Sequence, residues 1–171
     1  MFELLLWRHA KAEAADGRLA DFERGLAARG RSDAARMAPW IAQRAALELV
    51  LCSSARRTRE TLAALSDRLP RGCELRFERG LYLAPAEQIA DLLRALPDAR
   101  RCVLVIGHNP GLHELALALV GEAAGRAEGG IAEGFPTAAL VRLRMRAERW
   151  SDFDLEPGEL ADFVRPRDLS P

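Results

Sequence analysis

Three short stretches of the 171-residue chain, Phe2–Trp7 (FELLLW), Leu47–Cys52 (LELVLC) and Cys102–Ile106 (CVLVI), are almost wholly apolar and rich in branched side chains. A half-exposed strand alternates apolar with polar residues, and a surface helix carries an apolar stripe. Near-continuous apolar runs this short fit strands covered on both faces, as in a parallel sheet with helices above and below. Between the runs the apolar period changes to that of helices. Thr58, Leu62, Leu65 and Leu69 form one stripe; Ile89, Leu92, Leu93 and Leu96 form a second; Leu112, Leu115, Ala116 and Leu119 form a third. A further helix is expected over about 32–45, with Pro39 kinking it or ending its first turns. Near the C-terminus Val141, Leu143 and Met145 alternate with Arg142, Arg144 and Arg146, a strand with one face in solvent, and RWSDFDL is its candidate hairpin partner. The pattern predicts one domain over residues 1–171. Its fold class is three-layer α/β/α, with a mostly parallel sheet, an antiparallel C-terminal hairpin at the edge, and an irregular tail over 163–171.

Each buried run ends in an unusual polar cluster. Trp7 is followed by Arg8-His9, Cys52 by SSARRTRET, and Ile106 by GHNPG. Ligands of open α/β sheets bind at the carboxyl ends of the strands, so clusters about fifty residues apart in sequence can meet in one crevice. Singly, each has an ordinary explanation. Arg8 can snorkel and His9 can be a hydrogen-bonded core histidine; Ser53 and Ser54 can cap a helix that exposes Arg56 and Arg59; GHNPG can be a turn. Together they supply two histidines, at least two arginines and several helix N-termini, the groups that bind a phosphate dianion.

Any such site must be local, because 25 basic and 25 acidic residues cancel to zero net charge. Bulk attraction to nucleic acid or an anionic membrane is not expected. The chain opens MFELLLW without a charged leader, and no apolar stretch approaches the roughly 18 residues needed to span a bilayer. Three irregularly spaced cysteines fit a reducing compartment, so a soluble cytoplasmic protein is expected.

LLLWRHAKAE, CSSARRTRET and VIGHNPG, together with DFERGLAARGRSDA, LYLA, FPTAALVRL and FVRPRDL, resemble the histidine phosphatase superfamily, and most closely its small SixA-like phosphohistidine phosphatase group. The resemblance implies that His9 is the nucleophile that accepts the phosphoryl group. It implies that Arg8 and Arg57 hold the phosphate oxygens, that His108 is the second histidine of the pocket, and that Arg24 and Asn109 bind substrate. No metal and no cofactor is implied. No metal is required because arginines, His108 and helix N-termini can neutralise the charge on the transferring group, and the implied partner is a phosphorylated protein bearing phosphohistidine, or a small phosphorylated substrate. Ala10 and Ser54 depart mildly from the family pattern, where glycine and proline are common.

The larger departure is the general acid. No Glu or Asp occupies an unmistakable position; Glu78 and Glu87 are candidates, each equally readable as a solvated carboxylate. An alkoxide leaving group needs such an acid more than the nitrogen of a phosphoramidate does. The other classes fit less well. His108 and His113 are five residues apart, not the four that would set two metal ligands on one helical face beside His9, and no G-x-S-x-G elbow is present. A non-catalytic phosphate-binding module is the remaining alternative, and a degenerate site of that kind would be expected to have lost His9 or an arginine.

Overall fold

The computed structural model describes residues 1–121 and 130–169. Among these, the elements run β1 (Phe2–Arg8), α1 (Ala28–Arg44), β2 (Leu49–Ser53), α2 (Arg56–Ser66), β3 (Glu74–Glu78), α3 (Ala86–Arg94), β4 (Cys102–Gly107), α4 (Gly111–Val120), β5 (Leu140–Met145) and β6 (Glu159–Val164). The strands form one six-stranded sheet in the order β3-β2-β4-β1-β5-β6. The first four are parallel to their neighbours, whereas β5 is antiparallel to β1 and β6 antiparallel to β5. The expected α/β fold, mostly parallel with an antiparallel hairpin at one edge, is the fold observed.

The apolar runs are continuous because alternate side chains enter different cores. Phe2, Leu4 and Leu6 of β1 join Leu49, Leu51, Val103 and Val105 under the apolar faces of α3 and α4. Leu5, Trp7, Val50, Cys52, Leu104 and Ile106 point the other way, onto Met37, Ala38 and Ile41 of α1 and Leu62 and Leu65 of α2. No helix among the described residues is long and apolar enough to cross a membrane.

Several boundaries differ from expectation. Helix α1 begins at Ala28 and continues through Pro39. Buried Met37, Ala38 and Ile41 flank the proline and pack on the sheet, which holds the helix despite the missing N–H. The partner of β5 is Glu159–Val164, not RWSDFDL. In that stretch Trp150 stacks on Phe2 with ring centroids 4.5 Å apart and donates Nε1–H to the Arg100 carbonyl at 2.6 Å. Core burial therefore takes the tryptophan into a single helical turn instead of a strand. The tail is also more ordered than the irregular segment expected over 163–171: Phe163 and Val164 close β6, and Pro166–Asp168 form a 3-10 turn. Ser170 and Pro171 lie outside the described residues. Strand β3 escapes the run criterion because it is an edge strand whose apolar side chains, Leu75 and Phe77, face solvent.

Register positions the site. Arg8 pairs with Gly107, and Cys52 with Ile106, so β1, β4 and β2 end at nearly the same level, with β4 between the other two. The His9 N–H donates to the Gly107 carbonyl at 3.1 Å. Helix α4 starts against the loop that follows β3. A Cβ on Gly111 would lie 1.9 Å from the Ala84 carbonyl oxygen, a backbone atom that cannot swing away. Gly111→Ala should therefore destabilise the fold by about 2 kcal/mol or more in thermal or urea unfolding, whereas Gly80→Ala, whose Cβ would meet only a side chain at 3.5 Å, should change stability far less.

Candidate active site

The six residues singled out by their motifs, Arg8, His9, Arg24, Arg57, His108 and Asn109, all line one cleft of about 400 Å³ at the carboxyl ends of β1, β2 and β4. His9 and His108 are both buried, with ring centroids 5.1 Å apart. His9 leaves β1 and turns at once. Its Nδ1 lies 2.8 Å from the Ala10 carbonyl oxygen. A carbonyl can only accept, so Nδ1 carries the ring proton and Nε2 is an unprotonated base. Ala10 is itself clamped: its N–H donates to Thr61 Oγ1 at 3.0 Å, and Thr61 Oγ1–H donates to the Arg57 carbonyl at 2.7 Å. Helix α2 thus fixes the peptide that fixes the histidine.

His108 is held from the other strand. Its Nε2 is 2.7 Å from Ser53 Oγ, while the Ala55 N–H approaches Ser53 Oγ at 3.4 Å. Ala55 supplies no side-chain cap to α2, so Ser53 serves chiefly to orient His108, not to cap the helix. Arg57, only 3% exposed, is oriented by Asp21: Nη1 donates to its carbonyl at 2.7 Å and Nη2 to Oδ2 at 3.0 Å. Arg24 holds the same carboxylate at Oδ1, at 3.0 Å from Nε and 2.5 Å from Nη2. The Phe135 carbonyl accepts from both Arg8 Nη1 and Asn109 Nδ2, at 2.9 Å each. Arg56 and Arg59 of the same helix are exposed, as expected. Among the described residues, the buried side-chain nitrogen and oxygen atoms with no hydrogen-bond partner are Arg8 Nε, His108 Nδ1 and Asn109 Oδ1. All three belong to this cleft. Buried polar atoms are nearly always paired, so such a concentration marks a site built for a further polar group.

A family model for the histidine phosphatase superfamily (branch 1) matches residues 4–82. The crystal structure of SixA from Agrobacterium tumefaciens, a protein named as a phosphohistidine phosphatase, superposes with a TM-score of 0.81 at 30% identity, covering 96% of this chain and 98% of that one. The chain belongs to the histidine phosphatase superfamily. SixA from Nakamurella multipartitia gives a TM-score of 0.83 at 27% identity, with 96% of each chain covered. An uncharacterized protein of Mycobacterium leprae is 34% identical over 165 residues, covering 94% of this chain and 99% of its own.

Two further members of this site, Asp21 and Tyr82, lie in the DFERGL and LYLA segments of the resemblance, but nothing in the sequence gives either a role. Asp21 lines the cleft; Tyr82 donates its O–H to Asp21 Oδ2 at 2.5 Å and sets its ring edge-on to His108, with centroids 5.4 Å apart. That phenol bond, followed by those from Arg24 and Arg57, holds the Asp21 carboxyl well below the usual carboxylate range. The two expected acid candidates do not line the cleft. Glu87 is 61% exposed and pairs with Arg94 at 2.8 Å, and Glu78 ends edge strand β3.

Burial is the chief cause that lowers His9 to about 4; the bond to the Ala10 carbonyl works against it, and Arg57, Arg8 and Arg24 add to it. His108 falls to about 3, first through burial and then through His9 and Arg57. Both rings are therefore neutral at pH 7. The unfolded chain takes up protons at these histidines near pH 6.5, but the folded protein resists them until about 4 and 3. Their contribution to stability is fully present above pH 6.5 and is lost as pH falls through that window. Unfolding measured from pH 7 to pH 4 should show a steep loss. His108→Gln should reduce the slope near pH 5 by up to about 1.4 kcal/mol per pH unit, one proton's worth, and an unchanged slope would contradict the assignment.

Proposed function

We propose that the protein is a phosphohydrolase that works through a covalent phosphohistidine on His9 and removes phosphate from phosphohistidine in a protein. The observation that carries this reading is the hydrogen bond from His9 Nδ1–H to the Ala10 carbonyl, which leaves Nε2 as a neutral nucleophile among fixed cations. The Nε2 lone pair attacks phosphorus in line. A P–N bond to His9 forms as the bond to the substrate nitrogen breaks, and that nitrogen keeps the electron pair and takes a proton from solvent. Water then attacks phosphorus, the P–Nε2 bond breaks, and inorganic phosphate leaves. The proton stays on Nδ1 throughout, donated to the Ala10 carbonyl oxygen, which stabilises positive charge developing on the ring.

Arg8, Arg24 and Arg57 balance charge on the equatorial oxygens, so the reaction is proposed to need no metal. In this reading the Ser53 hydroxyl donates its proton to His108 Nε2, 2.7 Å away. The His108 ring proton accordingly sits on the unpaired Nδ1, a donor for a phosphoryl oxygen. The leaving group follows from Asp21. This carboxylate of the cleft is locked in its ionised form by Tyr82, Arg24 and Arg57, so it has no proton to give at neutral pH. Substrates whose leaving group departs without strong acid assistance are favoured, and phosphohistidine is one of these.

Brief reaction with a labelled phosphohistidine protein in a chelator, followed by denaturation, should trap acid-labile, base-stable phosphate on His9. His9→Ala should carry none, whereas His108→Ala should be labelled more slowly. Label on His108 or a serine, or turnover by His9→Ala, would refute the mechanism. Under steady state, Arg57→Ala should lower kcat/KM by about one to two orders of magnitude and exposed Arg59→Ala by little. Simple phosphomonoesters turned over better than phosphohistidine would move the substrate assignment to small molecules.

A further inference from the structure

Leu83 combines features that rarely coincide. It has a left-handed backbone, with φ of +50°; its large apolar side chain is 50% exposed; and it lines the cleft that contains His9. A left-handed conformation is unfavourable for leucine, and exposure offers no burial to offset it. The conformation persists because both neighbours are fixed. Tyr82 is bonded through its phenol to Asp21 at 2.5 Å. Ala84 is buried, and its carbonyl lies so close to the start of α4 that only glycine fits at position 111. The residue between these anchors must turn, and its side chain is presented to the cleft and solvent.

Apart from Leu83 and the small Ala12, the cleft is polar, walled by Arg8, Arg24, Arg57, Lys11, Asn109 and Thr137. His9 and Arg57 are 8% and 3% exposed, so the phosphoryl-binding groups lie deep and Leu83 lies at the solvent end. A ligand matched to this gradient carries a phosphate at one end and a weakly polar body at the other.

We propose that Leu83 is a specificity-determining residue: it packs against the ring of the leaving group, the imidazole of a phosphohistidine side chain, and so favours ring-borne phosphates over those on small or hydroxylated carriers. The identity of the ring rests on the proposed phosphohistidine activity; the preference for a ring does not.

The test is steady-state kinetics on a phosphohistidine peptide, on p-nitrophenyl phosphate, and on phosphoramidate, whose leaving group is ammonia and has no ring. Leu83→Asn keeps a residue tolerant of the left-handed region and removes the apolar body. Leu83→Met keeps the apolar body, and thermal melts check that both variants fold. In Leu83→Asn the ratio of kcat/KM for phosphohistidine to that for phosphoramidate should fall about fivefold, chiefly through KM, and Leu83→Met should keep it within about twofold of the parent. An unchanged ratio, or equal loss on both substrates, would overturn the proposal. Were the parent to hydrolyse p-nitrophenyl phosphate but not phosphohistidine, the proposed function would fail while the ring preference would still be read from p-nitrophenyl phosphate against phosphoramidate. The same fall would uphold the role of Leu83, and no fall would end it.

Discussion

The in-register pairing of β4 with β1 on one side and β2 on the other is the constraint on which the rest of the structure depends. It ends three strands at one level and delivers His9, Ser53 and His108 to a common floor. The pairing is secured by alternation along the buried runs, since a slip of one residue in β1 would exchange Leu4 and Leu6 with Leu5 and Trp7 between two cores of different shape. The helices then work on what the strands deliver. Through Thr61, α2 clamps the Ala10 peptide, and it contributes Arg57 directly.

Concentrating arginines beside two buried histidines sets an electrostatic problem, and the cleft resolves it asymmetrically. The histidines give up their charge, being held neutral by burial and by the neighbouring cations. Two of the arginines are paired with Asp21, which offers Oδ1 to Arg24 and both Oδ2 and its carbonyl to Arg57. Among the described residues, the Arg8 side chain has as hydrogen-bond partner only the Phe135 carbonyl, and its Nε is buried and unpaired. Arg8 thus keeps a buried N–H donor that an oxygen of a phosphoryl group would satisfy. Because the same forces disfavour a cationic imidazole, a phosphorylated His9 would be reactive toward water, in keeping with turnover instead of storage.

How much of this is legible in the sequence follows from how local each signal is. Arg8, His9, His108 and Asn109 stand at the ends of apolar runs, so reading the runs as strands also reads their positions, whereas Arg57, inside α2, is set apart from Arg56 and Arg59 only by the resemblance. Arg24 was found through its motif. Asp21 and Tyr82 are single polar residues in loops 61 positions apart, and only the folded chain brings them to one hydrogen bond. Thr58 reads as an ordinary position on a helical stripe and Thr61 lies off that stripe, yet Thr61 Oγ1 accepts the Ala10 N–H. The hairpin was legible as an element but not in its partner, because RWSDFDL has the stronger apolar pattern and spends it on stacking Trp150 against Phe2, whereas β6, the strand that pairs, is only partly buried over most of its length. Edge strand β3 was illegible because its apolar residues face outward.

The central claim is that a neutral His9 presents an unprotonated Nε2 because its proton is committed to the Ala10 carbonyl. Nitrogen-15 NMR of the protein labelled at histidine, titrated from pH 8 to pH 5 and assigned with His9→Ala, reads this directly. The account predicts a His9 ring protonated at Nδ1 only, with Nε2 remaining a bare base to the acid end of the range, in keeping with a pKa of about 4. A His9 ring protonated at Nε2, or one that takes up its second proton near pH 6.5 as an exposed imidazole would, would contradict it.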